Sequence, residues 1–169
     1  MDVTRLGKKM ALTGDLPEVG DQLPKFKLFD QQNNKVKTAN LIGQVSLISV
    51  VPDLDTPVCT LQTRKFVQQA DHYPAAKFYT VSNNSVAEQT GWCAAEGVQN
   101  VTLLSDEELS FGYETGLYVP NAGNLARSIW IIDETGKIVY RQIVIEQSEE
   151  PDYLAALTAL EKLVPRVDA

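Results

Sequence analysis

Apolar residues along this chain fall into two rhythms, short near-continuous runs and runs at helical spacing. "QVSLISVVP" (44–52) has little alternation, the pattern of a central strand covered on both faces. "KFYTVS" (77–82) and "NVTLLSD" (100–106) read as two more strands. Between the first two, Thr63, Phe66, Val67 and Ala70 stand at i, i+3, i+4 and i+7, which predicts an amphipathic helix. "SVAEQTGWCAAEG" (85–97) predicts another, ended by Gly97.

Toward the termini the pattern changes. Loose alternation around Gly7-Lys8-Lys9 predicts a small β-hairpin over 3–13, and "LPEVGDQLPKFKLFD" reads as a loop leading into an extended segment. "ARSIWIID" and "KIVYRQIVI" flank "ETG", a second hairpin with Gly136 in its turn. The closing "EEPDYLAALTALEKLV" predicts a helix with Pro151 in its first turn. Tyr153, Leu154, Leu157, Leu160, Leu163 and Val164 form its apolar side. Strands followed by crossover helices, then a hairpin and a helix, give an α/β sandwich with a central mixed sheet flanked by helices. No repeat or composition break divides residues 1–169, so one domain is expected. The order of elements is compatible with a thioredoxin-like fold and with other α/β sheets.

Composition narrows the functions. At 169 residues, 44% of them hydrophobic and 22% charged, the chain can bury a core without staples. A formal charge of −7 argues against nonspecific nucleic-acid and anionic-membrane binding. No run resembles a signal peptide or a bilayer span, so a cytoplasmic location is expected. Cys59, Cys93 and the single His72 lack zinc-ligand spacing, so no metal is expected. His72 is expected to cap a helix C-terminus, although a Cys-His hydrolase would have to use it.

"TPVC" (56–59) carries the candidate chemistry. Thr56 can cap a helix through its hydroxyl, and Pro57 suits the first helical position, where a missing N–H costs nothing. Cys59 then falls in the first turn, at the positive end of the helix dipole, a setting that stabilises thiolates. A buried, inert cysteine is the alternative, and the local pattern leaves both open. Cys93 lies on a different predicted element, too distant in sequence for a C-x-x-C couple. It can bridge to Cys59 only if folding or local unwinding brings the two together, and Gly91 and Gly97 weaken its helix.

"PDLDTPVC" (52–59) matches the Pro-x-x-x-Thr-x-x-Cys pattern of peroxiredoxins, and its form resembles the thiol peroxidase branch, atypical two-cysteine enzymes. "TRKF" after the cysteine, "CAAEG" (93–97), "LARSIWIID" (125–133) and "EPDYLAAL" (150–157) resemble further segments of that family, in the same order. The resemblance implies a thioredoxin-like peroxiredoxin fold, with Cys59 as peroxidatic and Cys93 as resolving cysteine. It also implies that Thr56 bonds the peroxide and the sulfur, Pro52 shields the thiolate and Arg127 supplies positive charge. Implied too are hydrogen peroxide and organic hydroperoxides as substrates, an intramolecular Cys59–Cys93 disulfide, thioredoxin as reductant, a homodimer and no cofactor. From sequence pattern alone Arg127 reads as a solvated strand-edge residue, and Arg64 as a surface residue of the helix. Gly91-Trp92 departs from the Arg-Phe or similar pair common before the resolving cysteine. A thioredoxin-fold disulfide reductase or chaperone, and a binding domain with two structural cysteines, are the rival readings.

Overall fold

In the computed structural model, residues 1–168 are described. The chain opens with an antiparallel hairpin, β1 (Asp2–Arg5) and β2 (Lys8–Ala11), in which Val3 stands opposite Met10. Its turn puts Leu6 at φ 49° and Gly7 at φ 82°. The left-handed region suits glycine but strains leucine, so other contacts must hold this turn. Next come β3 (Lys27–Phe29), β4 (Lys35–Lys37) and the single turn α1 (Thr38–Leu41). The centre alternates β5 (Ser46–Val50), α2 (Pro57–Ala70), β6 (Lys77–Ser82), α3 (Val86–Glu96) and β7 (Thr102–Ser105). A short helix α4 (Ser110–Thr115) and the two-residue pair β8 (Tyr118–Val119) and β9 (Asn124–Leu125) follow. β10 (Ser128–Ile132), β11 (Ile138–Ile143) and α5 (Tyr153–Glu161) close the fold.

Seven strands form one mixed sheet in the order β11-β10-β5-β6-β7-β3-β4. The β5, β6 and β7 strands run parallel, while β10 is antiparallel to β5 and β3 antiparallel to β7. Every residue of β5 is buried, as its unalternated sequence predicts for a strand covered on both faces. Because side chains alternate across a strand, the sheet builds two cores. Leu47, Phe78, Leu103, Ile129 and Ile131 pack with Phe66 of α2, Trp92 and Cys93 of α3, and Leu157 and Leu160 of α5. Ile48, Val50, Tyr79, Val81, Leu104 and Trp130 face the other way, against Phe26, Leu41 and Phe111. Burying each such large side chain stabilises the fold by roughly 1.5–3 kcal/mol.

The expected mixed α/β sandwich is present, with four local differences. Helix α5 starts at Tyr153, capped by the Asp152 carboxylate accepting from Ala155 N, so Pro151 lies before the cap rather than in the first turn. Leu154 is 77% exposed and Leu163 40% exposed, so both fall off the buried side of the C-terminal segment. His72 caps α2 through its backbone alone, its N donating to the Gln69 carbonyl at 2.9 Å, while its ring turns away and places Nδ1 3.0 Å from the Val167 carbonyl oxygen that the C-terminal segment brings alongside. The short elements β4, α1, α4, β8 and β9 lack a readable period because most span less than two turns of helix or three residues of strand.

Candidate active site

Chain leaving the C-terminal end of β5 enters a tight loop, Pro52 to Thr56, before α2 begins. Ligand sites in such sheets lie at the carboxyl ends of parallel strands, where neighbouring connections diverge. Here Asp53 and Asn84, the latter just after β6, hold the loop together. Asn84 Nδ2 donates to Asp53 Oδ1 (3.0 Å), and Leu54 N donates to Asn84 Oδ1 (3.0 Å). Pro52 is buried, and Asp53 N lies 3.5 Å from Cys59 Sγ, directed at the sulfur. A backbone N–H aimed at sulfur favours a charged acceptor there.

Thr56 is the N-cap residue of α2 and Pro57 its first helical residue, which places Cys59 in the first turn as the sequence suggested. The capping expectation for the hydroxyl is corrected. Thr56 makes no side-chain cap bond; its Oγ1 instead donates to the Asp53 carbonyl at 2.8 Å. Turned back onto the loop, the hydroxyl spends its one proton and keeps its lone pairs for an incoming donor. The first-turn amides therefore lack a side-chain acceptor and remain oriented toward the helix start.

Arg127, which pattern alone placed in solvent, is 2% exposed and immediately precedes β10. Its Nε donates to the Gln147 carbonyl (3.0 Å) and its Nη1 to Gln62 Oε1 (3.0 Å), while its backbone N donates to Gln147 Oε1 (2.6 Å). Gln62 is itself fixed by donating to Ser49 Oγ of β5 at 2.8 Å. Both side-chain partners are neutral, and among the described residues no ion pair involves Arg127. A buried cation without a carboxylate is costly unless an anion meets it, so its remaining donors await one. Pattern reasoning missed Gln62 and Gln147. The available signal was a glutamine on the buried side of α2, one position from Thr63.

Arg127 and Thr56 open onto one cleft of about 220 Å³, lined also by Arg5, Leu6, Pro57, Val58, Gln147 and Ser148. Cys59 follows the lining residue Val58 and is fully buried. A larger cleft of about 660 Å³, between α2 and α5, contains none of these groups. The N-terminal hairpin supplies one wall. Its strained turn is held by the Glu146 carboxylate, which accepts from Leu6 N (3.0 Å), Gly7 N (2.9 Å), Thr4 Oγ1 (3.0 Å), and both the backbone N and the hydroxyl of Ser148. These donors, Ser148 first, hold the Glu146 carboxyl well below its usual range. A depressed carboxyl contributes stability above its ordinary range and loses it as pH falls. Glu146→Gln is therefore expected to speed amide exchange at Leu6 and Gly7 by at least about tenfold at neutral pH. Unchanged exchange would show that the turn is held elsewhere.

Cys93 lies on α3, a helix closed at its start by the reciprocal Ser85–Glu88 capping box and at its end by Gly97 at φ 68°. It is 8% exposed and shares the core cluster that contains Cys59. Both thiols are free. Arg64 stays at the surface as expected, paired with Glu96 at 2.6 Å, and this ion pair ties α2 to α3.

Comparison with known proteins identifies the family of the chain. The redoxin family model matches residues 18–157. A thiol peroxidase of Bacillus subtilis (strain 168) is 37% identical over 164 residues, covering 96% of this chain and 98% of that protein. The chain belongs to the thiol peroxidase family. A second member, from Listeria monocytogenes serotype 4b (strain F2365), is 39% identical over 161 residues, covering 95% of this chain and 98% of its own. Among solved structures, a peroxiredoxin-like protein from Aquifex aeolicus superposes with a TM-score of 0.87 at 30% identity, covering 96% of each chain. A thiol peroxidase from Chromobacterium violaceum reaches the same TM-score at 21% identity, which speaks to the shared fold. The similarity to thiol peroxidases thus extends over nearly the whole chain. No helix among the described residues is long and apolar enough to cross a membrane.

Proposed function

We propose that this chain reduces hydroperoxides at Cys59, forms a Cys59–Cys93 disulfide within one chain and is recycled by thioredoxin. Family membership makes it a peroxidase-type oxidoreductase. The observation that carries the finer reading is Arg127: a buried guanidinium without a counter-ion among the described residues, on the same cleft as the start of α2.

In this reading the Cys59 thiolate attacks one peroxide oxygen in line with the O–O bond. An S–O bond forms, the O–O bond breaks, and the leaving oxygen departs as water or alcohol after taking a proton. Arg127 and the first-turn amides stabilise charge developing on the oxygens, as preorganised donors do in other sites. Thr56, whose proton is engaged with Asp53, accepts from the peroxide O–H. Pro52, buried at the loop's start, keeps bulk water from the sulfur. The sulfenic acid then condenses with the Cys93 thiol, releasing water and leaving a disulfide. A reduced dithiol protein takes over the disulfide by exchange and regenerates both thiols. Leu6, Pro57 and Val58 give the cleft apolar walls suited to the organic part of a larger hydroperoxide. The homodimer implied by the family resemblance belongs to the same proposal, and light scattering would read its mass.

Stopped-flow mixing of reduced protein with equimolar hydrogen peroxide or cumene hydroperoxide tests the function. Tryptophan fluorescence is expected to change in two phases, followed by a Cys59–Cys93 disulfide within one chain by mass spectrometry. Trp92, adjacent to Cys93, is the reporter for the second phase. Consumption no faster than that by free cysteine would remove the peroxidase assignment.

A further inference from the structure

Cys93 is not simply embedded in apolar core. Gln31, in the turn between β3 and β4, places its Nε2 at 3.1 Å from Cys93 Sγ, donating to it across 62 positions of sequence. The turn is built to hold that residue. Asp30 Oδ1 accepts from Gln32 N (3.0 Å) and Asn34 N (2.8 Å), and the Asp30 carbonyl accepts from Asn33 N (2.9 Å). Asn33, at φ 62°, supplies the left-handed residue that tightens it.

We propose that Gln31 is the positioning residue of the resolving step, holding the Cys93 sulfur and favouring the thiolate form that attacks the Cys59 sulfenic acid. The proposal rests on the peroxidase reading above. An amide suits both states of this sulfur. Its N–H₂ donates to a thiolate, and a half-turn of the side chain presents Oε1 to an S–H. Burial pushes the Cys93 thiol up from its ordinary range, and the Gln31 hydrogen bond opposes that rise. Four acidic groups on the surrounding elements are engaged elsewhere, and Lys35 and Lys37 of β4 are exposed. Glu96 pairs with Arg64 of α2, the Glu88 carboxylate accepts from Ser85 N in the cap of α3, Asp30 holds its own turn, and Asp106 after β7 accepts from Phe111 N and Gly112 N. Because exchange and condensation run through the thiolate, the fraction ionised sets the rate of resolution.

The step balances without further reactants. The Cys93 thiolate forms the S–S bond, the sulfenic S–O bond breaks, the departing hydroxide takes up the proton that Cys93 lost and leaves as water, and the peroxide already consumed is the oxidant.

The test has two arms. In a Cys59→Ser background Cys93 is the only thiol, and its alkylation by iodoacetamide is followed against pH. Gln31→Leu, which keeps the side-chain bulk without the donor, is expected to raise the midpoint by about one pH unit. Gln31→Glu, which turns a carboxylate toward the sulfur, should raise it further. A structural role alone would leave the midpoint in place, and an unchanged midpoint in both variants overturns the proposal. In chains retaining Cys59, Gln31→Leu should slow the second fluorescence phase relative to the first by about tenfold at pH 7. A shifted titration with an unaltered ratio of phases overturns the role in resolution. Wild-type protein that consumes no peroxide overturns the peroxidase reading instead, a result separable from the titration because that arm uses no peroxide.

Discussion

Cys59→Ser is expected to reduce peroxide consumption to the rate seen without protein, while the fold survives. Serine nearly matches cysteine in shape, but its hydroxyl stays protonated at neutral pH and is a poor nucleophile toward peroxide oxygen. Asp53 N and the start of α2 would still point at the replaced atom, so binding geometry alone would remain. Placing a hydroxyl at a fully buried position costs about 1–3 kcal/mol, a loss that thermal unfolding by circular dichroism would detect. Peroxide turnover is measured by a colorimetric assay on folded variant. Retained activity would move the nucleophile away from Cys59, and Cys93 would be the only thiol left to carry it.

Cys93→Ser is expected to behave differently. Each chain should consume one equivalent of peroxide and then stop, with the Cys59 sulfenic acid accumulating until a dimedone adduct traps it. The first step needs only the cleft formed by Thr56, Arg127 and their neighbours, to which Cys93 does not contribute. In the proposed mechanism the second step uses a thiol from the same chain, and an oxidised sulfur that lacks one is expected to proceed to sulfinic acid under excess peroxide. Mass spectrometry distinguishes these products. Undiminished thioredoxin-coupled turnover in this variant would show that Cys93 is not the resolving residue.

Part of the site was legible locally. A cap residue, a proline and a cysteine over four positions act through contacts within one helical turn, so the placement of Cys59 followed from sequence. The capping box of α3 and the glycine that ends it were open to the same kind of reasoning. Thr56 shows its limit. Its residue type predicted a cap, yet the loop carbonyl of Asp53 lies closer to hand and takes the hydroxyl proton. Competition between a helix N–H and a loop carbonyl for one hydroxyl depends on the loop's path, which Asn84, just after β6, fixes.

The sequence by itself determined the strands β5, β6, β7, β10 and β11, the helices α2, α3 and α5 and the setting of Cys59, because strand patterning, helical spacing and helix capping are short-range. Only the tertiary structure decided the environment of Arg127. Its guanidinium bonds Gln62, 65 positions away, and Gln147, 20 positions away, and it is buried because β10 lies beside β5 in the sheet. The same holds for Cys93, whose sulfur meets Gln31 because β3 joins the sheet next to β7. Buried polar groups take whichever partners the topology brings to them, and no local pattern encodes that choice.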